Sequence, residues 1–218
     1  GLWALLPIGS GIFRLNVFAA VLAAVAAGVA VQFFYELLRA PKLHPAGKAQ
    51  PRKKGTGSAA PARPADADEL ENLKAAAAAG LLLAFGGTYW RTALSIEVYA
   101  LHILMLALVL WSSARMLFLP AADARVLRRR MMITAVLLGL SFSNHMSTVF
   151  LLPALLVLLF LMHGRAAGFR KSLLPAAAAF AAGLLPYLYL PLRAAAHPFL
   201  NWGNPATLEN LIRHVSGK

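Results

Sequence analysis

Cysteine is absent from this 218-residue chain, which excludes disulfides, thiol catalysis and cysteine-ligated metals. Charge is scarce. Charged residues make up 13% of the sequence, against about 25% in a soluble domain. Acids are scarcer still, 8 against 21 lysines and arginines. Strict polar–apolar alternation with period two is missing, which argues against a membrane barrel. There is no Gly-rich phosphate loop, no Walker motif, no Ser-His-Asp signature and no internal repeat.

What the chain has instead is apolar bulk, 60% of its residues. It comes in long runs nearly free of charge, separated by short basic stretches. A run of about 20 apolar residues spans the hydrocarbon core as a helix, because a backbone in lipid must satisfy its own hydrogen bonds. Six such segments are expected, at 12–38, 73–89, 96–119, 131–142, 148–162 and 173–192. The fold class is therefore an all-α integral membrane protein, a polytopic helix bundle of about six transmembrane segments. The fourth and fifth segments are short, and they form either two crossings broken at Asn144-His145 or one kinked helix. The last segment carries Pro175, Pro186 and Pro191, tolerated in membranes where neighbours re-satisfy the freed carbonyls.

Four regions follow. Residues 1–40 hold the outer-face lead-in and the first transmembrane helix. Residues 41–72 are rich in proline, glycine, alanine and lysine and are expected to be a disordered cytoplasmic loop. Its acids Asp66, Asp68, Glu69 and Glu71 suit the start of the second helix. Residues 73–192 carry five further segments, and 193–218 begin an outer region. The chain starts at Gly1 and stops just after a helix opens near Asn204-Pro205, so both ends read as cuts. That last helix is expected to be amphipathic, with Asn204 as its cap and Pro205 in first position.

The formal charge of +13 would suggest a nucleic-acid partner in a soluble protein. Here topology accounts for it, and the bilayer is the expected partner. With six crossings, three loops fall on one side and hold eight, five and three of the basic residues, sixteen of twenty-one. The positive-inside rule makes that side cytoplasmic, and the agreement supports the break at Asn144.

The opposite face then collects the unusual polar residues. Glu97 is a candidate general base or a group orienting a sugar hydroxyl, or simply an acid favoured at a helix N-terminus. Arg91 and Arg193 can each grip a lipid phosphate through a guanidinium fork, or snorkel to headgroups. Asn144 and His145 interrupt an apolar stretch, as site residues or as satisfied hydrogen-bonding groups. Tyr99 and Trp202 are candidates for sugar or acceptor contact; an aromatic belt is the plainer account of such residues near an interface. No second histidine stands at ligand spacing from His145, so no metal is expected from this segment.

Three spaced stretches carry a resemblance. They are Tyr89-Trp90 with Glu97-Val98-Tyr99-Ala100-Leu101-His102, then Gly139-Leu140-Ser141-Phe142-Ser143-Asn144-His145, and then Pro186-Tyr187-Leu188-Tyr189-Leu190-Pro191-Leu192-Arg193-Ala194 with Asn201-Trp202-Gly203. Together they resemble the bacterial membrane group known as domain of unknown function 2723, relatives of the vertebrate transmembrane protein 260, a protein O-mannosyltransferase. The resemblance covers nearly all of the chain outside 41–72. It implies a GT-C type glycosyltransferase in the bacterial cytoplasmic membrane, with its site on the non-cytoplasmic side. Such an enzyme takes a mannose-like sugar from a polyprenyl-phosphate donor and passes it to an exported protein or glycan.

On that resemblance, Arg193 with Arg91 or His145 contacts the donor phosphate, and Glu97 and Asn144 orient sugar or acceptor. The family's acidic motif and its "HPPGYPL"-like stretch are not in this sequence, and the main catalytic acid is expected ahead of Gly1. Gly86-Gly87 stands where Ser-Pro is expected. Two other readings remain at this stage: a transporter with a site at the broken helix, and a non-catalytic assembly subunit.

Overall fold

A computed structural model describes residues 9–40, 65–95, 97–119, 123–163 and 168–216. Residues 1–8 and the stretch 41–64, which hold the expected lead-in and most of the expected loop, lie outside the described residues, as does Arg165. The described residues form helices joined by short turns, with no strand among them.

The first helix, α1 (Gly11–Arg39), opens on Ser10, whose hydroxyl accepts the Phe13 amide, and buries Ala19, Ala23, Ala26 and Ala30. Alanines three and four apart make a smooth stripe along which other helices approach closely. The second helix, α2 (Ala65–Ala84), starts ahead of the hydropathy boundary at residue 73. Its opening turns are acidic, which hydropathy discounts but the helix dipole favours. Tyr35 donates to Glu69 at 2.6 Å, and farther along Gly80 lies against Val31. These pairs set α2 antiparallel to α1. A short helix, α3 (Gly87–Ala93), follows, and Tyr89 donates to the Ala23 carbonyl.

Helix α4 (Tyr99–Phe118) runs parallel to α1, with Glu36 beside Arg115 at their shared end. Helix α5 (Ala124–Asn144) has 21 residues and is no half-length piece. The expected 131–142 fell short because Arg125, Arg128, Arg129 and Arg130 depress hydropathy while favouring helix well enough. The Asp123 carboxylate caps α5, accepting the Arg125 and Val126 amides at 2.7 and 2.9 Å.

The break at residue 145 is real. His145 is extended (φ −156°, ψ 129°), a 3-10 turn covers Met146–Leu151, and α6 (Leu152–His163) follows. The chain reverses here rather than kinking: Leu158 returns to pack with Met116, Leu127, Met131 and Phe169. Helix α7 (Phe169–Gly183) then runs parallel to α5. The two cross at Gly139 and Gly183, where a Cβ on Gly183 would sit 2.5 Å from the Val136 carbonyl and one on Gly139 would meet that of Phe180. A 3-10 turn at Leu185–Leu188 leads to α8 (Tyr189–Ala194).

The described residues thus pass up and down the bundle six times, with α2–α3 and α7–α8 each forming one pass. Among the described residues three stretches are long and apolar enough to cross a membrane: Gly11–Arg39, Tyr99–Phe118 and Phe169–Ala194. The stretch Met146–Leu161 is apolar but shorter. The terminal helix, α9 (Leu208–Ser216), starts later than expected. Thr207, not Asn204, accepts the Asn210 amide, because Asn204 takes a left-handed conformation (φ 37°) that a helix start does not use.

Candidate functional site

Alternating passes give the bundle two unlike ends. One gathers Arg39, Arg115, the four arginines of α5, Arg170 and Lys171. The other gathers α3, the start of α4, the Asn144–His145 break and α8. This second end holds the polar cluster.

The cluster is built on the corner between α5 and α6. The buried hydroxyls of Ser141 and Thr148 lie 2.9 Å apart. Thr148 donates to the His145 carbonyl at 2.8 Å, so Ser141 is the donor between the hydroxyls. The His145 amide closes α5 on the Ser141 carbonyl. Ser143 donates to the carbonyls of Gly139 and Gly183, both at 3.1 Å, and Tyr187 donates to that of Phe142 at 2.7 Å. These bonds fix the corner against α7 and the turn after it.

On that corner His145 Nδ1 accepts the Ser147 amide at 3.2 Å and stands 2.8 Å from the Ser147 hydroxyl. Accepting an amide requires a bare nitrogen, so the hydrogen-bond pattern assigns the neutral ring's proton to Nε2. Ser147 Oγ is also 2.7 Å from His102 Nε2. The two imidazoles lie 4.7 Å apart, and the Tyr99 ring is 5.5 Å from that of His145. In either orientation of the Ser147 hydroxyl, His102 Nδ1 is buried without a partner, and so is Asn144 Nδ2. Buried polar atoms are ordinarily satisfied; others without a partner, such as Glu36 Oε2, Trp111 Nε1, Ser113 Oγ and Thr134 Oγ1, lie elsewhere, while these two stand beside a histidine pair bridged by Ser147 and are available to another polar group.

The structure brings together three of the residues singled out in the sequence: Tyr99, Asn144 and His145. Glu97 precedes α4 and is exposed. Arg91 is exposed on α3, its Nε 3.4 Å from the Gly87 carbonyl, and Arg193 is exposed on α8. These three share the end of the bundle with the histidine pair, yet no ion pair joins them to one another among the described residues. Trp202 is 86% exposed in the turn before α9. Among the described residues no three His, Asp or Glu side chains come close enough to hold a metal ion.

Sequence reasoning missed His102 and Ser147. Their signal was available. A histidine inside an apolar run is costly without a partner, and His102 falls three residues after Tyr99, on the same helix face.

Against known proteins, residues 1–167 match the family described as the protein O-mannosyl-transferase TMEM260 N-terminal domain. The mouse (Mus musculus) protein O-mannosyl-transferase TMEM260 is 27% identical over 212 residues, covering 96% of this chain and 25% of the mouse protein. The chain therefore spans about a quarter of the length of that relative. No solved structure matches. The histidine pair, Ser147, Asn144, Glu97 and Arg91 fall inside the matched residues, whereas Arg193 and Trp202 fall beyond them. By the extent of that match, the chain belongs to the TMEM260 N-terminal domain family.

Proposed function

We propose that this chain is part of a membrane glycosyltransferase of GT-C type, crossing the membrane six times with the histidine end on the non-cytoplasmic side. The donor is a polyprenyl-phosphate sugar, mannose-like, and the acceptor an exported protein or glycan. The membrane is the bacterial cytoplasmic membrane. The observation that carries this reading is the unsatisfied polar cluster at one end of the bundle, in a chain whose family is named for protein O-mannosyl transfer.

In the reaction an acceptor hydroxyl attacks the anomeric carbon. The bond from that carbon to the phosphate oxygen breaks, and the polyprenyl phosphate leaves with the electron pair. The proton passes to a carboxylate. Glu97 is this chain's candidate. Charge grows on the departing phosphate, so cations and N–H donors fixed near it lower the barrier. Arg91, Arg193 and the Nε2–H of His145 are suited to that role, and Asn144 Nδ2 to a sugar or acceptor oxygen. Tyr99 and Trp202 offer ring faces to a sugar. The chain reversal at His145 lies at the end of the bundle, whereas a transporter's site belongs near the midplane. That position favours transfer over transport.

The test is transfer of mannose from polyprenyl-phosphate mannose to an acceptor protein in membranes carrying the intact protein. Arg193→Ala is expected to raise the donor KM and Glu97→Gln to lower kcat, with the protein still folded. Wild-type constants in both variants would overturn these assignments. Solute uptake into sealed vesicles in place of transfer would overturn the function.

A further inference from the structure

The opposite end of the bundle carries a charge pattern that the fold itself does not need. Helix α5 opens with Arg125, Arg128, Arg129 and Arg130 in its first two turns and has no acid in its first turn. A helix N-terminus is the positive end of its dipole, where cations are disfavoured. Of the described acids nearby, Asp123 caps the α5 amides, and Glu36 faces Arg115 through one oxygen at 3.8 Å.

Two of the arginines at this end have structural work. Arg130 Nη1 donates to the Leu119 carbonyl at 2.6 Å and to that of Arg115 at 3.3 Å, tying α5 to the C-terminus of α4. Arg115 lies over the Trp111 ring, 5.1 Å from its centroid. Arg125, Arg128 and Arg129 differ. All three are exposed, none pairs with an acid among the described residues, and their spacing puts them on one face of α5.

Beneath them that face turns apolar. Arg125, Arg128 and Arg129 rim a groove of about 540 Å³ floored by Met132, Ile133, Val136 and Leu137. A second groove, about 410 Å³, lies between α5 and α4, reaches Trp111, and shares Arg129 and Ile133 with the first. Met132 and Ile133 are 38% and 45% exposed, because the buried face of α5 is the one bearing Leu127, Met131 and Thr134.

We propose that this double groove binds an anionic phospholipid. The three free guanidinia hold its phosphate and one acyl chain lies along Met132 to Leu137. Guanidinium forks match phosphate oxygens two at a time, and basic pockets between membrane helices suit such headgroups. A bound phosphate also reverses the penalty at the α5 N-terminus, since an anion belongs at that end of a helix. Ordinary snorkelling makes a different forecast. Side chains that only reach for the interface do not discriminate an anionic headgroup through three particular positions.

The experiment uses the intact protein in nanodiscs of equal phosphatidylglycerol and phosphatidylcholine, with lipid retention read by native mass spectrometry. Retained phosphatidylglycerol is expected over phosphatidylcholine. In the triple variant Arg125→Gln/Arg128→Gln/Arg129→Gln the preference should fall roughly a hundredfold, each arginine being worth a factor of about five near an anionic surface. The triple Lys variant should keep most of it.

If the triple Gln variant does not insert, Arg129→Gln alone is expected to lose about fivefold. In a second readout, phosphatidylglycerol brominated on its acyl chains should quench Trp111 more than brominated phosphatidylcholine does, a difference that Trp111→Phe removes. Equal retention of the two lipids, or a Gln variant that retains phosphatidylglycerol like the wild type, would overturn the proposal. So would displacement of the lipid by millimolar inorganic phosphate, which would make the site one for the free anion.

Discussion

The two ends of this bundle handle polarity in opposite ways. At the basic end the polar groups serve helix termini: Asp123 caps α5, and Arg130 closes the C-terminus of α4 through the Leu119 carbonyl. The surplus charge stands exposed on one face. At the histidine end the hydroxyls and imidazoles of the corner are half-buried or buried and bond across elements, from α4 to the corner after α5 and from that corner to α7, while Arg91, Glu97 and Arg193 stand exposed around them. There the surplus is unsatisfied hydrogen-bonding capacity beside a bonded cluster, at His102 Nδ1 and Asn144 Nδ2; toward the basic end Glu36 Oε2, Trp111 Nε1 and Ser113 Oγ are also buried without a partner. Exposed charge costs a fold little, whereas a buried unpaired donor or acceptor costs about 1–3 kcal/mol. The second kind of surplus is the stronger pointer to a site.

That contrast depends on α5 and α7 being held together at the histidine end, and the largest expected effect comes from separating them. Gly183→Val places carbon against the Val136 carbonyl and the Gly139 backbone, which cannot rotate away as a side chain would. A loss of about 3 kcal/mol is expected, seen as a large fall in melting temperature in detergent. Val at Gly28, where nothing crowds a Cβ, serves as the control and should stay close to the wild type.

Most of the architecture was legible in the sequence because lipid admits few alternatives. Apolar runs had to be helices, and the reversal at Asn144-His145 followed from counting basic loops. Less legible was the true extent of α5, since Arg125 to Arg130 lower hydropathy without opposing helix. The start of α2 at Ala65 was hidden by its acids in the same way. Tyr99, Asn144 and His145 stood out in the sequence because each is polar where the pattern is apolar. Their partners His102 and Ser147 come from segments 45 residues apart, and only packing joins them. Arg91, Glu97 and Arg193 were expected on one face with the Asn144-His145 break and share an end of the bundle with it, but an end of a bundle is wider than a hydrogen bond, and single-residue patterns carry no distances.

A smaller effect is expected from the corner itself. Thr148→Val keeps volume but leaves Ser141 Oγ buried without its partner, a loss of about 1–3 kcal/mol. Adding Ser141→Ala removes the orphan and should recover part of that loss. A double-mutant cycle on thermal unfolding measures the coupling; strict additivity would mean that the two hydroxyls do not share a bond.

Function separates the ends more sharply than stability does. His102→Phe removes the ring nitrogens while keeping a planar apolar body in α4. Its transfer rate is expected to fall about tenfold, less than the loss of about a hundredfold or more that removing a general acid or base brings, because His145 keeps its ring and loses only the Ser147-mediated contact that fixes it. Ser147→Ala should fall by a similar factor. The double variant should be little worse than either single one, since residues acting as one unit are not additive. Additive losses would separate His102 from His145 and reduce the pair to packing.

The smallest effect tests the basic end. Asp123→Ala removes the N-cap of α5 and should cost about 1 kcal/mol. Asp123→Asn retains an acceptor for the Arg125 and Val126 amides while deleting the negative charge, so its loss isolates the electrostatic share, about 0.3–1 kcal/mol for a charge at a helix terminus. If the arginine face is filled by an anionic lipid, that share should be larger in detergent than in phosphatidylglycerol nanodiscs, where lipid phosphate supplies the missing negative charge. In phosphatidylcholine it should stay near the detergent value. Unfolding of the Asn variant in the three environments therefore measures, from the helix end alone, whether the surplus cations of α5 are already neutralised in the membrane. A loss that is the same in all three would place the phosphate elsewhere and leave Asp123 as the counter-charge at this helix terminus among the described residues.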